Sequence, residues 1–129
     1  MLDHIGLSVS DYARSRAFYA NALGPLGYVP VMDVTRDQTG SYEGTGFGAN
    51  GRPYFWIGTG DRPGGPMHVA FTAASRADVD RFHAAALAAG GRDNGPPGVR
   101  AHYHPDYYGA FVFDPDGNNV EAVCHAPER

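Results

Sequence analysis

Two histidines and one glutamate form the set of residues in this chain most suited to chemistry. His4 and His68 stand 64 positions apart, and each opens a stretch in which polar and apolar residues alternate. Glu121 lies within the apolar segment 119–125, where an isolated carboxylate is costly unless it is paired or bound to a metal. Two imidazoles and one carboxylate suit Fe(II), Mn(II), Zn(II), Ni(II) or Co(II) and leave coordination positions open. We therefore expect a divalent metal ion as cofactor.

The interval of 64 residues belongs to an internal repeat. When the chain is shifted by 64 positions, seven residue pairs between positions 4 and 27 are identical. They include His4 and His68, Phe18 and Phe82, Leu23 and Leu87, and Gly27 and Gly91. The repeat indicates that the two histidines occupy equivalent positions in two similar units.

Each repeat is predicted to form a strand, a helix and three further strands. The alternation after each histidine predicts a strand with the histidine on its polar face. Asp11 and Ser75 predict the helix N-caps, while Gly24 and Gly90 predict the helix ends. The remaining strands are predicted at 28–35, 41–48, 53–58, 100–104, 108–113 and 119–125. The predicted fold class is α+β, with two βαβββ repeats forming a curled mixed sheet.

Strand parity predicts which side chains share the face that carries the histidines. Val120, Ala122 and Cys124 alternate with Glu121, so these three residues should face the helices and Glu121 should face away from them. Cys124 is therefore expected to be an inert core residue. The same parity predicts that His4, His68 and Glu121 converge on one site.

The composition limits the domain count, the partners and the compartment. A chain of 129 residues predicts one domain over 1–129, with the first repeat at about 2–60 and the second at about 66–125. A single cysteine excludes an intrachain disulfide. A net charge of −4, with scattered arginines and no lysine, favours a small-molecule substrate over nucleic acid or an anionic membrane. There is no long apolar run and no secretory signal pattern, so a cytoplasmic location is expected.

Three segments of the chain resemble the vicinal oxygen chelate superfamily, which includes glyoxalase I, extradiol ring-cleaving dioxygenases, fosfomycin-resistance thiol transferases and bleomycin-binding proteins. They are DHIGLSVSD with the following AFY and LG, then HVAF, then FDPDGNNVEA, and the resemblance covers residues 2–125. It implies paired βαβββ modules around a metal held by His4, His68 and Glu121, with the substrate chelated through adjacent oxygens. It also implies a homodimer, since family members commonly pair or exchange modules.

Several reactions of this superfamily stay open. The fourth ligand position of the four-ligand glyoxalases aligns with Phe55, which cannot bind a metal. A slip of one residue in this alignment would place Trp56 or Tyr54 there instead, and of these only Tyr54 could bind a metal. The resemblance implies a glyoxalase-like lyase or isomerase in the broad sense, or a three-ligand dioxygenase or thiol transferase. Phe111 stands where the ring-cleaving signature has tyrosine, and a phosphonate-binding transferase needs clustered cations where only Arg100 is expected. A metal-free binding protein of the bleomycin-resistance type, holding an aromatic molecule near Trp56, is the remaining alternative.

The segment 101–108, AHYHPDYY, is predicted to line the mouth of the site because it precedes the strand beside Glu121. His102 or His104 would shuttle protons, since an unperturbed imidazole titrates near neutral pH. Tyr107 would donate a hydrogen bond to a developing oxyanion. By contrast, His125 is expected to be structural or solvated, and the residues of the turn 114–117 are expected to form the turn rather than to catalyse.

Overall fold

The computed structural model describes residues 2–60 and 65–127, and its elements follow the predicted order twice. The first half contains β1 (Ile5–Ser8), α1 (Tyr12–Leu23), a 3₁₀ turn (Gly24–Leu26), β2 (Val29–Val34), α2 (Arg36–Thr39), β3 (Gly44–Ala49) and β4 (Arg52–Gly58). The second half contains β5 (His68–Thr72), α3 (Arg76–Ala88), β6 (Arg92–Val99), β7 (Tyr108–Phe113) and β8 (Asn119–Cys124). Within the described part of the chain, no helix is both long and apolar enough to cross a membrane. The α+β class with two βαβββ repeats is confirmed.

The two helices of the repeats begin where the sequence predicts. The Asp11 side chain accepts a hydrogen bond from the backbone N–H of Arg14, and the Ser75 side chain accepts one from that of Asp78. Each cap satisfies a backbone donor that has no partner within the helix. The end of α1 differs slightly from the prediction. Gly24 continues into the 3₁₀ turn, and the left-handed residue that redirects the chain is Gly27, at φ +86°.

Each half forms its own four-stranded mixed sheet, in the order β1-β4-β3-β2 and β5-β8-β7-β6. The first strand of each half runs parallel to the last, and the other pairs are antiparallel. Gly6 pairs with Trp56, and Ala70, the repeat equivalent of Gly6, pairs with Glu121. The first-half position equivalent to Glu121 is therefore Trp56, and the predicted alignment with Phe55 is wrong by one residue. A slip of one residue exchanges the two faces of a strand, and the register irregularity between β3 and β4 is not visible in the sequence.

One predicted strand is wrong. Residues 100–104 form a turn, in which the backbone N–H of Tyr103 donates to the carbonyl of Arg100 at 2.9 Å. The second strand of the second half is instead β6, which contains two prolines and two glycines. A strand of this composition is tolerated because β6 lies at the edge of its sheet and its pairing with β7 is irregular.

A shared hydrophobic core joins the two halves. Helix α1 packs against α3, and the helix-facing residues of both sheets belong to the same buried cluster. Phe55 of β4 lies edge-on to Phe71 of β5, with ring centroids 5.1 Å apart, and its ring is 4.9 Å from that of Tyr19. Because aromatic pairs in this geometry add to the free energy of apolar burial, these rings stabilise the contact between the halves.

A buried carboxylate adds a polar link between the halves. Asp114, in the turn after β7, is 2% exposed and accepts a hydrogen bond of 2.5 Å from the hydroxyl of Tyr19 on α1. It also accepts hydrogen bonds from the side-chain amide and backbone N–H of Asn118 and from the backbone N–H of Asp116. These contacts satisfy a charge that would otherwise be costly to bury, and they fix the turn that leads into β8.

Candidate functional site

The outward face of each sheet, which points away from the shared core, holds the predicted ligands. Val120, Ala122 and Cys124 are buried in the core, as the parity of β8 predicts. Glu121 therefore points to the opposite face of β8. Phe111 of β7, which pairs in register with Glu121, lies on that same outward face.

Glu121 is buried and receives two hydrogen-bonding partners. Its side chain is almost inaccessible, at 1% exposure of the residue. The Nε2 atom of His68 lies 2.9 Å from Oε1 of Glu121, and the hydroxyl of Tyr107 donates to Oε2. Burial, followed by the hydrogen bond to the Glu121 carboxylate, raises the pKa of Tyr107, so the phenol stays protonated and acts as the donor. The side chain of His68 is 55% exposed, which leaves the pair open to solvent on one side.

His4 lies apart from this pair in the single chain. Its Nδ1 atom is 2.8 Å from the carboxylate of Asp3, and its side chain is 58% exposed. The hydrogen bond with His4 lowers the pKa of Asp3. Among residues 2–60 and 65–127, no three or more His, Cys, Asp or Glu side chains form a group that could hold a metal ion. The chain thus brings two of the three predicted ligands together and leaves His4 with Asp3.

The two histidines do share the lining of one pocket. This pocket has a volume of about 320 Å³ and lies between the halves, where β1, β4 and β5 approach one another. Its walls are mostly aromatic and aliphatic, while Asp3, His4 and His68 supply polar groups. A mainly apolar cavity with a few polar groups is typical of small-molecule sites.

The segment 101–108 places one predicted catalytic residue against the ligand pair. Tyr107 contacts Glu121 directly. The ring of Tyr103 lies at a tilt to that of Tyr107, with centroids 5.0 Å apart, and the ring of His102 lies at a tilt to that of Tyr103, at 4.1 Å. The Nδ1 atom of His104 accepts a hydrogen bond from the backbone N–H of Asp106 at 3.0 Å. His102 and His104 therefore lie in the same aromatic group as Tyr107, with no hydrogen bond to Glu121.

His125 is closer to the site than the sequence predicts. Its ring lies edge-on to Tyr107 with centroids 5.2 Å apart, and it is 6.0 Å from the ring of His104. The sequence contains a signal for this position, because His125 follows Glu121 by four residues. In an extended chain those two side chains point to the same face.

The outward face of the first sheet has a different chemistry. Trp56, at the position equivalent to Glu121, lies against Gly46, where an added Cβ would be 2.9 Å from the indole ring. The ring of Tyr42 covers Gly44 and Gly58 in the same way. On the outward face of the first sheet, aromatic rings therefore lie over glycine residues. On the outward face of the second sheet, the corresponding area carries a carboxylate and an imidazole.

The donor atoms of His68 and Glu121 fit a divalent metal. An imidazole nitrogen and a carboxylate oxygen already face one another at 2.9 Å, and this combination is suited to Zn(II), Fe(II) and Mn(II). Tyr107 holds the second carboxylate oxygen, which is the kind of supporting contact that orients a metal ligand.

Comparisons with known proteins identify the family and the fold. The family model of the Glyoxalase/Bleomycin resistance protein/Dioxygenase superfamily matches residues 1–122. A glyoxalase/bleomycin resistance protein from Albidiferax ferrireducens is 32% identical, with a TM-score of 0.75 over 96% of this chain and 98% of that one. No curated protein matches the sequence.

Two more distant solved structures share the fold. A mutant of the fosfomycin resistance protein FosX from Listeria monocytogenes, in complex with Mn(II) and a dihydroxypropylphosphonic acid, is 22% identical. Its TM-score is 0.68 over 95% of this chain and 90% of that one. A mutant glyoxalase I from Zea mays is 21% identical, also with a TM-score of 0.68, over 95% of this chain and 46% of that one.

Proposed function

Because the chain belongs to the glyoxalase/bleomycin resistance protein/dioxygenase superfamily, we propose that it is a metal-dependent enzyme acting on a small substrate with adjacent oxygen atoms. His68, Glu121 and His4 would hold the metal. The observation that supports this best is the buried carboxylate of Glu121, 2.9 Å from the exposed imidazole of His68. When bound, a divalent metal would act as a Lewis acid on the substrate oxygens.

The roles of the other residues follow from their contacts. Tyr107 fixes Oε2 of Glu121 and leaves Oε1 directed toward His68. Trp56 and Phe55 supply no ligand from β4, so proton transfer between substrate atoms needs another group. We assign that role to the segment 101–108, with His102 and His104 as proton shuttles, because an imidazole carries both a proton donor and a proton acceptor.

The third ligand is proposed to come from a second copy of the chain in a homodimer. His4 has an exposed imidazole and lies apart from the His68–Glu121 pair of its own chain. The outward face of the first sheet also exposes the apolar side chains of Val29 and Met32, each 49% exposed. A symmetric dimer would cover such a face and could bring His4 of one copy to the pair of the other.

The first experiment is elemental analysis and metal titration of the protein purified without chelator. We expect about one divalent metal per chain in the wild type, and a loss of affinity of at least about 100-fold in Glu121→Gln and His68→Ala. His83→Ala is the matched control, because His83 forms a similar pair with Asp93, at 3.0 Å, on α3 and β6. All variants should keep the wild-type circular dichroism spectrum. A wild type without stoichiometric metal would contradict the proposal.

A mixing experiment tests the shared site. His4→Ala and Glu121→Gln each damage every site of their own homodimers. In a mixed dimer, His4 of the Glu121→Gln chain would meet the intact His68 and Glu121 of the other chain. Equal mixing with exchange should therefore restore about a quarter of all sites. No recovery of metal binding in a mixture shown to contain mixed dimers, or a monomer by light scattering, would contradict the shared site.

A metal-free binding protein is the second candidate function. It is favoured by the aromatic outward face of the first sheet, where Trp56 and Tyr42 lie on glycine. Such a face suits a planar aromatic ligand, which would change the fluorescence of the single tryptophan. Fluorescence changes with aromatic compounds in a protein that binds no metal would support this candidate against the enzyme.

A further inference from the structure

Arg100 presents a positively charged group on the sheet face that carries the His68–Glu121 pair. The guanidinium carbon of Arg100 lies 5.5 Å from the ring centroid of Phe111, which shares the outward face with Glu121. The ring of Phe111 is in turn 6.4 Å from that of His68. The backbone N–H of Arg100 donates to the carbonyl of Tyr107 at 2.7 Å, which ties it to the residue that contacts Glu121. Arg100 and the ligand pair therefore belong to one surface.

The guanidinium is held in place by contacts that do not neutralise it. Its Nη2 atom donates to the carbonyl of Pro96 at 2.7 Å. A Cβ added at Gly98 would lie 3.1 Å from Nη1, and one added at Gly95 would lie 3.2 Å from Nη2. A side chain at either of these positions of β6 would crowd the guanidinium, whereas glycine leaves it in its present position. The cation–π contact with Phe111 also leaves the positive charge intact.

No carboxylate forms an ion pair with Arg100 in the part of the chain that the structure describes. The arginines 16, 36, 52 and 81 have acidic partners, whereas Arg100 has a ring and a backbone carbonyl. A guanidinium has five N–H donors in a planar fork, and one backbone carbonyl uses only part of them. The remaining donors are available to an anion.

We propose that Arg100 binds a carboxylate group of the substrate, and that the substrate is therefore a carboxylic acid anion with further oxygen atoms that reach the His68–Glu121 pair. This inference rests on the proposed function, because the pair is taken to be the metal site. Arg100 would determine specificity and orientation: a carboxylate bound at the guanidinium would direct the rest of the molecule across Phe111 toward His68.

The chemistry of the site favours a carboxylate over a phosphonate or phosphate. A planar carboxylate is satisfied by two parallel N–H donors of one guanidinium. A phosphonate carries up to two negative charges on three tetrahedrally arranged oxygens, which the two parallel N–H donors of one guanidinium satisfy only in part. The chain contains no lysine, and Arg92, the other arginine stacked on this sheet face, lies over Phe113. One guanidinium thus matches one carboxylate.

The test compares three probes with the same ring and different head groups: benzoate, benzamide and phenylphosphonate. Binding to the full chain is measured by calorimetry or NMR, first as purified and then after removal of metal with a chelator, so that direct binding of a carboxylate to metal is separated from binding at Arg100. We expect benzoate to bind about tenfold more tightly than benzamide in both states, and more tightly than phenylphosphonate in the metal-free state.

The variants make the assignment specific. Arg100→Met should remove the preference for benzoate over benzamide while leaving the metal affinity and the thermal midpoint unchanged. Arg92→Met is the matched control, because Arg92 makes the same kind of contact with Phe113, at 5.0 Å, and should keep the preference. Arg100→Gln, which keeps polar contacts but no charge, serves if the methionine variant is unstable, and it should also lose the preference.

The failure of this inference is distinguishable from that of the proposed function. Four results would each overturn the role of Arg100. The first two are an unchanged preference for benzoate in folded Arg100→Met or Arg100→Gln, and an equal loss of that preference in Arg92→Met. The other two are tighter binding of phenylphosphonate than of benzoate to the metal-free protein, and no binding of benzoate to the wild type. None of these results depends on whether the wild type binds metal. The absence of metal binding would refute the proposed function while leaving the benzoate result to decide whether Arg100 binds a carboxylate.

Discussion

Removing the hydroxyl group of Tyr19 tests how much one hydrogen bond between the two halves stabilises the protein. Tyr19 is fully buried on α1, and its hydroxyl donates to the buried carboxylate of Asp114 at 2.5 Å. Asp114 belongs to the turn that leads into β8, the strand of Glu121. The substitution Tyr19→Phe removes only the hydroxyl and keeps the ring that packs on Phe55.

The size of the effect follows from the partners that Asp114 keeps. A hydrogen bond to a charged group contributes roughly 1.5–3 kcal/mol to stability, and a buried acceptor that loses its donor also loses compensation for its desolvation. Asp114 retains the donors from Asn118 and Asp116, which limits the loss. We expect Tyr19→Phe to lower the free energy of unfolding by about 2 kcal/mol and the thermal midpoint by about 6–10 °C.

The assay is thermal and urea unfolding followed by circular dichroism. Tyr28→Phe is the matched control, because Tyr28 also packs on an aromatic ring of the core, Phe71 at 5.7 Å, but its hydroxyl makes no hydrogen bond among the described residues. That variant should change stability by less than about 0.5 kcal/mol. If Tyr19→Phe is as stable as the wild type, or no less stable than Tyr28→Phe, the hydrogen bond to Asp114 does not stabilise the contact between the halves.

Two further predictions concern pH and backbone packing. The Arg16 guanidinium donates to both carboxylate oxygens of Asp33 and lowers the pKa of that carboxyl in the folded protein. The stability that this ion pair contributes is therefore fully present above the pKa of Asp33 in the unfolded chain, and it is lost as the pH falls through the lower pKa of the folded protein. Because both side chains are more than a third exposed, Asp33→Asn should cost only about 0.5 kcal/mol at neutral pH and nothing near pH 2, and an equal cost at both pH values in urea unfolding would contradict this. Gly48→Ala should destabilise the protein by more than about 3 kcal/mol, because its Cβ would overlap the backbone carbonyl of Arg52, whereas Gly24→Ala should be nearly neutral, since nothing lies within 4 Å of that position. Thermal unfolding that does not separate the two glycine variants would show that the β3–β4 hairpin can relax.

The repeat and the strand alternation predict much of the fold from the sequence. Alternation is a local property, because successive side chains of a strand point to opposite faces whatever the strand pairs with. For this reason the burial of Val120 and Ala122, and the opposite orientation of Glu121, could be predicted. The helix caps at Asp11 and Ser75 are local for the same reason, since the capping side chain and its backbone partner are three residues apart.

Strand register and edge position could not be predicted from local pattern. Trp56 rather than Phe55 stands opposite Gly6 because the hairpin pairing contains an irregularity. Residues 92–99 form a strand despite their prolines and glycines because the sheet supplies a partner on one side only, where missing N–H groups are tolerated. Both outcomes depend on hydrogen bonds between segments distant in sequence.

The sequence by itself determined the residue types of the candidate site, the repeat that relates His4 to His68, and the face on which Glu121 lies. Only the tertiary structure decided which of these groups meet. His68 and Glu121 are adjacent because β5 and β8 are neighbours in one sheet, while His4 belongs to the other sheet and lies beside Asp3. The contact between Tyr107 and Glu121 likewise depends on packing between segments that are distant in the sequence. No local pattern of residues predicts such packing.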